Sequence, residues 1–254
     1  MDYPVGVHFL QRVWEREDEC QRTTDQLVHK LEANAPQTLA ELGTLLSLLD
    51  RMASCAWGCA GGSHEIERLV GRCTNLARAA IRLLRSAFYD EALNLVRSLG
   101  EITNLLTYFV VAPGAFDRWI LADRKQRKEY FGPGPVRTGI RKVLGKVPMD
   151  DDHYRRLCES VTHPTPTLVP QAYTHADRPI LANIVQPAGV LIVLYELGNM
   201  LAIMALSAAN IAPLAEAHRE DVRESAARLL MSTGEAGITN LKEMLAGSTQ
   251  AAPK

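Results

Sequence analysis

Between Ala188 and Pro213 the only strongly polar side chains are Glu196, Asn199, Ser207 and Asn210. An apolar run of that length either crosses a bilayer, which takes about 20 residues, or fills the centre of a large helical bundle. The bundle reading is favoured. Glu196 and Asn199 fall near the middle, where lipid penalises polar groups most, and no lysine or arginine cluster flanks either end. Glu196 must then be paired inside the protein, because burying a lone carboxylate is costly. Arg97 and Arg156 are the expected partners.

The rest of the chain has the period such a bundle needs. Residues 7–31, 38–56, 63–88, 90–111 and 115–130 carry apolar side chains at three- and four-residue intervals. Breakers stand between them: Ala35-Pro36, Gly61-Gly62 and Pro113-Gly114, with Gly-Pro-Gly-Pro at 132–135 as the firmest interruption. A short basic helix over 136–146 follows, then a helix opened by Asp150-Asp151-Asp152. A proline-punctuated stretch over 164–187 is long for a structureless loop and is expected to cover something functional. Helices over 214–232 and 235–245 close the chain. No alternating strand pattern and no internal repeat is present. The expectation is an all-α protein: one helical domain over 1–246 (N-terminal helices 7–56, core 63–210, C-terminal helices 214–245) and a flexible tail over 247–254. With 254 residues, 47% of them hydrophobic, it can bury a substantial core. Five cysteines and no apolar leader read as reduced thiols in a cytoplasmic protein without a membrane span.

One helix carries an unusual polar stripe. On 90–111, Asp90, Asn94, Glu101, Asn104 and Tyr108 fall within about 60° of Arg97, while Leu95, Leu99, Ile102, Leu106 and Phe109 line the other side. An ordinary solvent face is wider and richer in lysine. This mixed set suits a hydrogen-bonded network in a cleft between helices, and the plainer alternative is a narrow wet face.

The candidate chemistry lies further on, at Arg156 and His163. Seven positions at 100° each return a helical side chain to within about 20° of its start, so the two share a face if the helix is regular. Pro164 ends the helix, leaving the imidazole at its carbonyl end. The plainer alternative is a chance pair on a surface helix. The chemical reading is phosphodiester cleavage. Arginine offers a planar fork for phosphate oxygens, and histidine moves protons near neutral pH. A single histidine cannot serve as both base and acid, so a symmetric second copy or a neighbour such as Tyr154 must supply the other transfer.

The run Phe88-Tyr89-Asp90-Glu91-Ala92-Leu93-Asn94-Leu95-Val96-Arg97-Ser98-Leu99-Gly100-Glu101, with Tyr154-Arg155-Arg156-Leu157-Cys158-Glu159-Ser160-Val161-Thr162-His163-Pro164, resembles bacterial proteins of the HEPN superfamily. There an arginine is followed, after four to six residues, by a histidine on a helical bundle; six residues intervene here. The resemblance covers roughly residues 63–165. It implies a metal-independent endoribonuclease, a toxin or anti-phage defence effector, with Arg156 and His163 catalytic and two copies meeting across a homodimer. An antitoxin or other regulatory protein is the implied partner. Active members carry a polar residue directly after the arginine, where this chain has Leu157. The alternative is a non-catalytic helical module that binds a protein or a nucleotide in the same groove. Arg97, Glu101, Asn104, Tyr108, Tyr154 and Glu196 are the expected supporting polar cluster.

A net charge of −1 excludes a general polyanion binder, so any RNA contact must be local. From Arg118 to Lys146 nine lysines and arginines stand against two acids, a local balance of +7. Arg124, Lys125, Arg127, Lys128, Arg137, Arg141 and Lys142 are the expected RNA contacts, with Trp119, Tyr130 and Phe131 for stacking. The alternative is a solvated face balanced by acids elsewhere. No cofactor and no metal is expected. Cys55, Cys59, His64 and Cys73 could in principle make a zinc site, but the spacing lacks the two-residue knuckle, and buried thiols on helices explain the cysteines as well. Asp150–Asp152 beside His153 is explained by helix capping. There is no phosphate-binding glycine loop, nucleophile elbow, dinucleotide fingerprint or paired Glu-x-x-His.

Overall fold

A computed structural model describes residues 6–34, 38–58, 61, 64–163, 165–166, 169–171, 173 and 184–233. Among these the chain forms ten α-helices and one π-helical turn, with no strand. They are α1 (Val7–Asn34), α2 (Thr38–Ala53), α3 (Glu65–Arg85), α4 (Tyr89–Val111), α5 (Ala115–Leu121), α6 (Arg124–Tyr130), α7 (Pro133–Leu144), α8 (Asp151–Leu157), the π-turn (Cys158–Thr162), α9 (Pro187–Ile211) and α10 (Glu216–Thr233). The protein is all-α, as its period requires. The helix expected over 235–245 and the tail lie outside the described residues.

The apolar run is α9, and it is the core helix of this bundle. It is long and apolar enough to cross a membrane, yet 61% of its apolar window is buried inside the protein. It packs against α4, α10, α3 and α2. Leu197, Leu201, Met204 and Val193 are fully enclosed there. Its polar residues have partners: Asn199 Oδ1 accepts from Thr233 at 2.9 Å, and Ser207 and Thr107 of α4 share a hydrogen bond at 3.0 Å. Gly198 lets α10 approach, since a Cβ there would sit 2.9 Å from the Thr233 methyl.

Two boundaries differ from expectation. Residues 115–130 form two helices, because Asp123 caps a new one: its Oδ1 accepts from the Gln126 N–H at 2.8 Å, and Gln126 Oε1 accepts from the Asp123 N–H at 3.0 Å. Gly-Pro-Gly-Pro opens a helix more than it interrupts one. Gly132 is the N-cap and α7 begins at Pro133, where a missing N–H costs nothing.

The described residues of the proline-rich stretch clasp the start of α4. Phe88, the N-cap, offers no side-chain cap. Gln171 supplies it from across the fold, its Oε1 accepting from the N–H groups of Tyr89 (2.8 Å) and Asp90 (3.3 Å). Asp90 reciprocates with Gln171 N–H (2.8 Å) and Tyr173 O–H (2.6 Å). Gln171 holds a left-handed φ of 54°, strained for a side-chain-bearing residue and kept by these bonds.

Candidate functional site

Asp150 starts the helix that carries the Arg156/His163 pair, its carboxylate accepting from the His153 N–H at 2.8 Å. Acids in that first turn act as cap and dipole partners, as the sequence indicates. The helix then widens. Over Cys158–Thr162 the backbone is π-helical, ending in a hydrogen bond from the His163 N–H to the Cys158 carbonyl at 2.8 Å. A π-turn advances each residue by less than an α-turn, so the shared face drawn from a uniform 100° step needs correction. Arg156 sits on the α-helical part, and His163 is the extended residue that closes the π-turn, at φ −100° and ψ 134°. Both are solvent-exposed. Among the described residues neither side chain has an ion-pair or hydrogen-bond partner, whereas Arg155 pairs with Asp152 at 2.8 Å. Leu157, between them, is only 6% exposed and packs into the core.

The polar stripe of α4 faces this segment. Arg97 donates to Glu101 (2.9 Å), to the Tyr154 hydroxyl (2.8 Å) and to Asn94 Oδ1 (3.3 Å). Asn94 Oδ1 also accepts from the Thr162 hydroxyl at 3.2 Å, tying the π-turn to α4. Two guanidiniums approach the Tyr154 ring, Arg97 at 5.3 Å and Arg137 at 5.0 Å from its centroid. Burial, a hydrogen bond with Cys158 and the charge of Glu101 raise the Tyr154 hydroxyl above its ordinary pKa against the pull of Arg97, so it is a neutral phenol. Asn104 is buried further along the stripe and bonds twice to the Met149 backbone, donating to its carbonyl at 2.8 Å and accepting from its N–H at 3.1 Å.

Glu196 is paired, but with a residue the sequence reading passed over. His153 Nε2 lies 2.8 Å from Glu196 Oε2, an approach too oblique for an aligned hydrogen bond. Neither Arg97 nor Arg156 reaches it: Arg97 is committed to Glu101, and Arg156 faces solvent. Spacing puts His153 three residues before Arg156 on the same helix, and only the packing of that helix selects it.

The basic segment divides into two groups. Arg137 and Arg141 of α7 both grip Asp151 at the start of α8, each at 2.6 Å. They brace the helix, and Arg137 is only 11% exposed in its side chain. Arg124, Lys125, Arg127, Lys128 and Lys142 are exposed and, among the described residues, lack acid partners. Beside them opens a cavity of about 1030 Å³ between α4, α5, α6 and α7. Tyr108, Tyr130 and Phe131 give it aromatic walls, Arg118 and Lys142 give it positive charge, and no acid lines it. Gly139 is required at its floor, where a Cβ would come within 2.4 Å of the Tyr108 ring.

Residues 66–132 match a family of unknown function, DUF5677. The match takes in α3, α4, α5 and α6, hence Arg97, Glu101, Asn104, Tyr108 and the α6 cations, and ends before Tyr154, Arg156, His163 and Glu196. No curated protein and no solved structure matches the chain.

Among the thiols, Cys73 is buried in the core, and burial pushes it up to about 12. It stands apart from Cys55, which lies beside His64; Cys59 is outside the described residues.

Proposed function

We propose that this protein is a metal-independent endoribonuclease of HEPN type, a cytoplasmic toxin or anti-phage effector that works on RNA through Arg156 and His163. The observation that carries the reading is a contrast in pairing. Arg97, Arg137, Arg141 and Arg155 are each bound to an acid, while Arg156 and His163, on either side of the π-turn, keep solvent-facing side chains with no internal partner among the described residues. π-turns are rare and frequent at functional sites; this one ends the helix and is anchored to α4 through Thr162 and Asn94.

In this reading His163 takes the proton of a ribose 2′-hydroxyl, the oxygen attacks the adjacent phosphorus, and Arg156 stabilises the charge on the non-bridging oxygens. The leaving 5′-oxygen needs a proton from a second acid, which a symmetric copy of His163 in a homodimer supplies. Exposed cations of α6 and Lys142 hold the phosphate backbone outside the reacting bond. A bound antitoxin or regulator restrains it by covering the same surface.

The test is cleavage of single-stranded and loop RNA by purified protein in chelator, since splayed RNA lets the 2′-oxygen line up. Arg156→Ala and His163→Ala are each expected to lower the rate by about 100-fold or more. Folding should survive, because neither side chain has a partner to lose among the described residues. RNA left uncut by the wild type refutes the proposal.

A second reading rests on a different observation, the aromatic and positively charged cavity against α7. A non-catalytic module would bind a nucleotide there, its base on Tyr130 or Phe131 and its phosphates at Arg118 and Lys142. Calorimetry with nucleoside mono- and triphosphates separates the two. Binding lost in Lys142→Ala, with no RNA cleavage by the wild type, favours the module.

A further inference from the structure

At the α2–α3 junction three side chains converge that play no part in the proposed RNA site. Cys55 lies just past the end of α2, His64 is the N-cap of α3, and Glu67 is in its first turn. Cys55 Sγ is 3.7 Å from His64 Nδ1, and His64 Nδ1 is 4.0 Å from Glu67 Oε1. The three ligand atoms all lie within 4.8 Å of one another. Around a tetrahedral zinc, with bonds near 2.0–2.3 Å, neighbouring ligand atoms are about 3.5 Å apart. The cluster therefore reaches metal geometry by small side-chain rotations.

We propose that Cys55, His64 and Glu67 form a binding site for one borderline-soft divalent cation of the zinc or cobalt type. Thiolate, imidazole and carboxylate are the ligand set for such ions, whereas magnesium and calcium take oxygen alone. Three protein ligands stand among the described residues, and the half-buried setting of all three side chains gives water a route to complete the shell. Binding releases the thiol proton, so affinity rises with pH. Cys55 and His64 both hold left-handed conformations, at φ 56° and 57°, uncommon for residues that carry a side chain. The positive end of α3 favours the two anionic ligands. The turn is also docked on α10, where Trp57 stacks on His218 with ring centroids 4.6 Å apart. A bound ion would tie α2, α3 and α10 together.

Sequence spacing hides this site because its third ligand is Glu67, while Cys73 is buried in the core. The proposal is independent of the ribonuclease reading, and its test needs no activity. Reduced protein, stripped of metal by dialysis against chelator, is titrated with Co²⁺. A thiolate-to-cobalt charge-transfer band and visible d–d bands should grow to saturation at one equivalent, and Zn²⁺ should bleach them. Cys55→Ser should abolish the charge-transfer band. His64→Asn, chosen because asparagine tolerates the left-handed backbone, and Glu67→Gln should each weaken cobalt binding at least roughly tenfold, since even groups that merely orient a ligand are worth that much. Circular dichroism checks that each variant keeps its helices. Absence of a charge-transfer band in the wild type overturns the proposal and leaves a plain thiol–imidazole hydrogen bond. A band that persists in Cys55→Ser overturns it too, as does unchanged affinity in both His64→Asn and Glu67→Gln.

Discussion

Asn104 and Arg156 occupy opposite extremes of what a polar residue does in this protein, and their sequence contexts do not tell them apart. Asn104 is 3% exposed and serves the backbone of one residue, Met149, bonding both its N–H and its C=O through the two ends of the amide. Replacing it with alanine leaves a buried N–H and C=O unsatisfied, so Asn104→Ala should cost about 2–4 kcal/mol in urea unfolding. Asp151 offers a pH-dependent test. Hydrogen bonds from Arg141 and Arg137 lower its pKa from 3.8. A carboxylate whose folded pKa is depressed adds stability above its unfolded value and loses it as pH falls through the folded one. Wild-type stability should therefore fall below about pH 4 more steeply than that of Asp151→Asn, measured by denaturation at stepped pH. The effect should be modest, because Asp151 is 54% exposed and water screens it. The polar stripe was legible in sequence because its period is that of a helix. The partner of Glu196 was not: charge matching favoured an arginine, and only the packing of α8 on the core selects His153.

Among the elements, the π-turn is the one whose geometry no residue pattern announces. A period of 3.6 places apolar residues along α8 whether or not one turn is widened, and the widening becomes visible only through the His163 to Cys158 hydrogen bond. It makes a specific prediction. Inserting one alanine after Ser160, an exposed residue of that turn, should carry His163 round the helix axis by roughly 80–100° relative to Arg156. RNA cleavage should fall to the level of His163→Ala while the circular dichroism spectrum stays helical; cleavage at the wild-type rate would show that the widened turn has no catalytic role. The start of α4 makes another. Gln171→Ala removes the only side-chain cap described for that helix, and the loss should be about 1–2 kcal/mol, the usual worth of an N-cap. By contrast, the break between α5 and α6 was readable in advance, since Asp123 followed three residues later by Gln126 is a capping-box spacing.

For the whole molecule, the relevant quantity is how a nearly neutral protein distributes its charge. The acids and most arginines of α8, α10 and the start of α7 cancel locally in ion pairs. The exposed cations of α6 and Lys142 are left beside a cavity without acids. Composition gives only the sum, a net −1, and sequence order the basic segment; which of its cations stay unpaired appears once the helices are packed. If the surface holds an RNA strand, each phosphate neutralised releases counterions, and log affinity falls with log salt by about 0.7 per contact on a single strand. Replacing Lys125 and Arg127 together by alanine should flatten that slope by about 1.4 and weaken binding at low salt most. The single-turnover rate at saturating RNA should not change, because neither cation touches the reacting bond in the proposed chemistry. Light scattering adds the condition under which the rate is read, for the proposed proton transfers need two copies of His163: the cleaving species should be a two-fold dimer. A slope unchanged in the double variant would remove α6 from the RNA path and leave Lys142, the ion-paired α7 arginines and Arg156 as its remaining positive contacts.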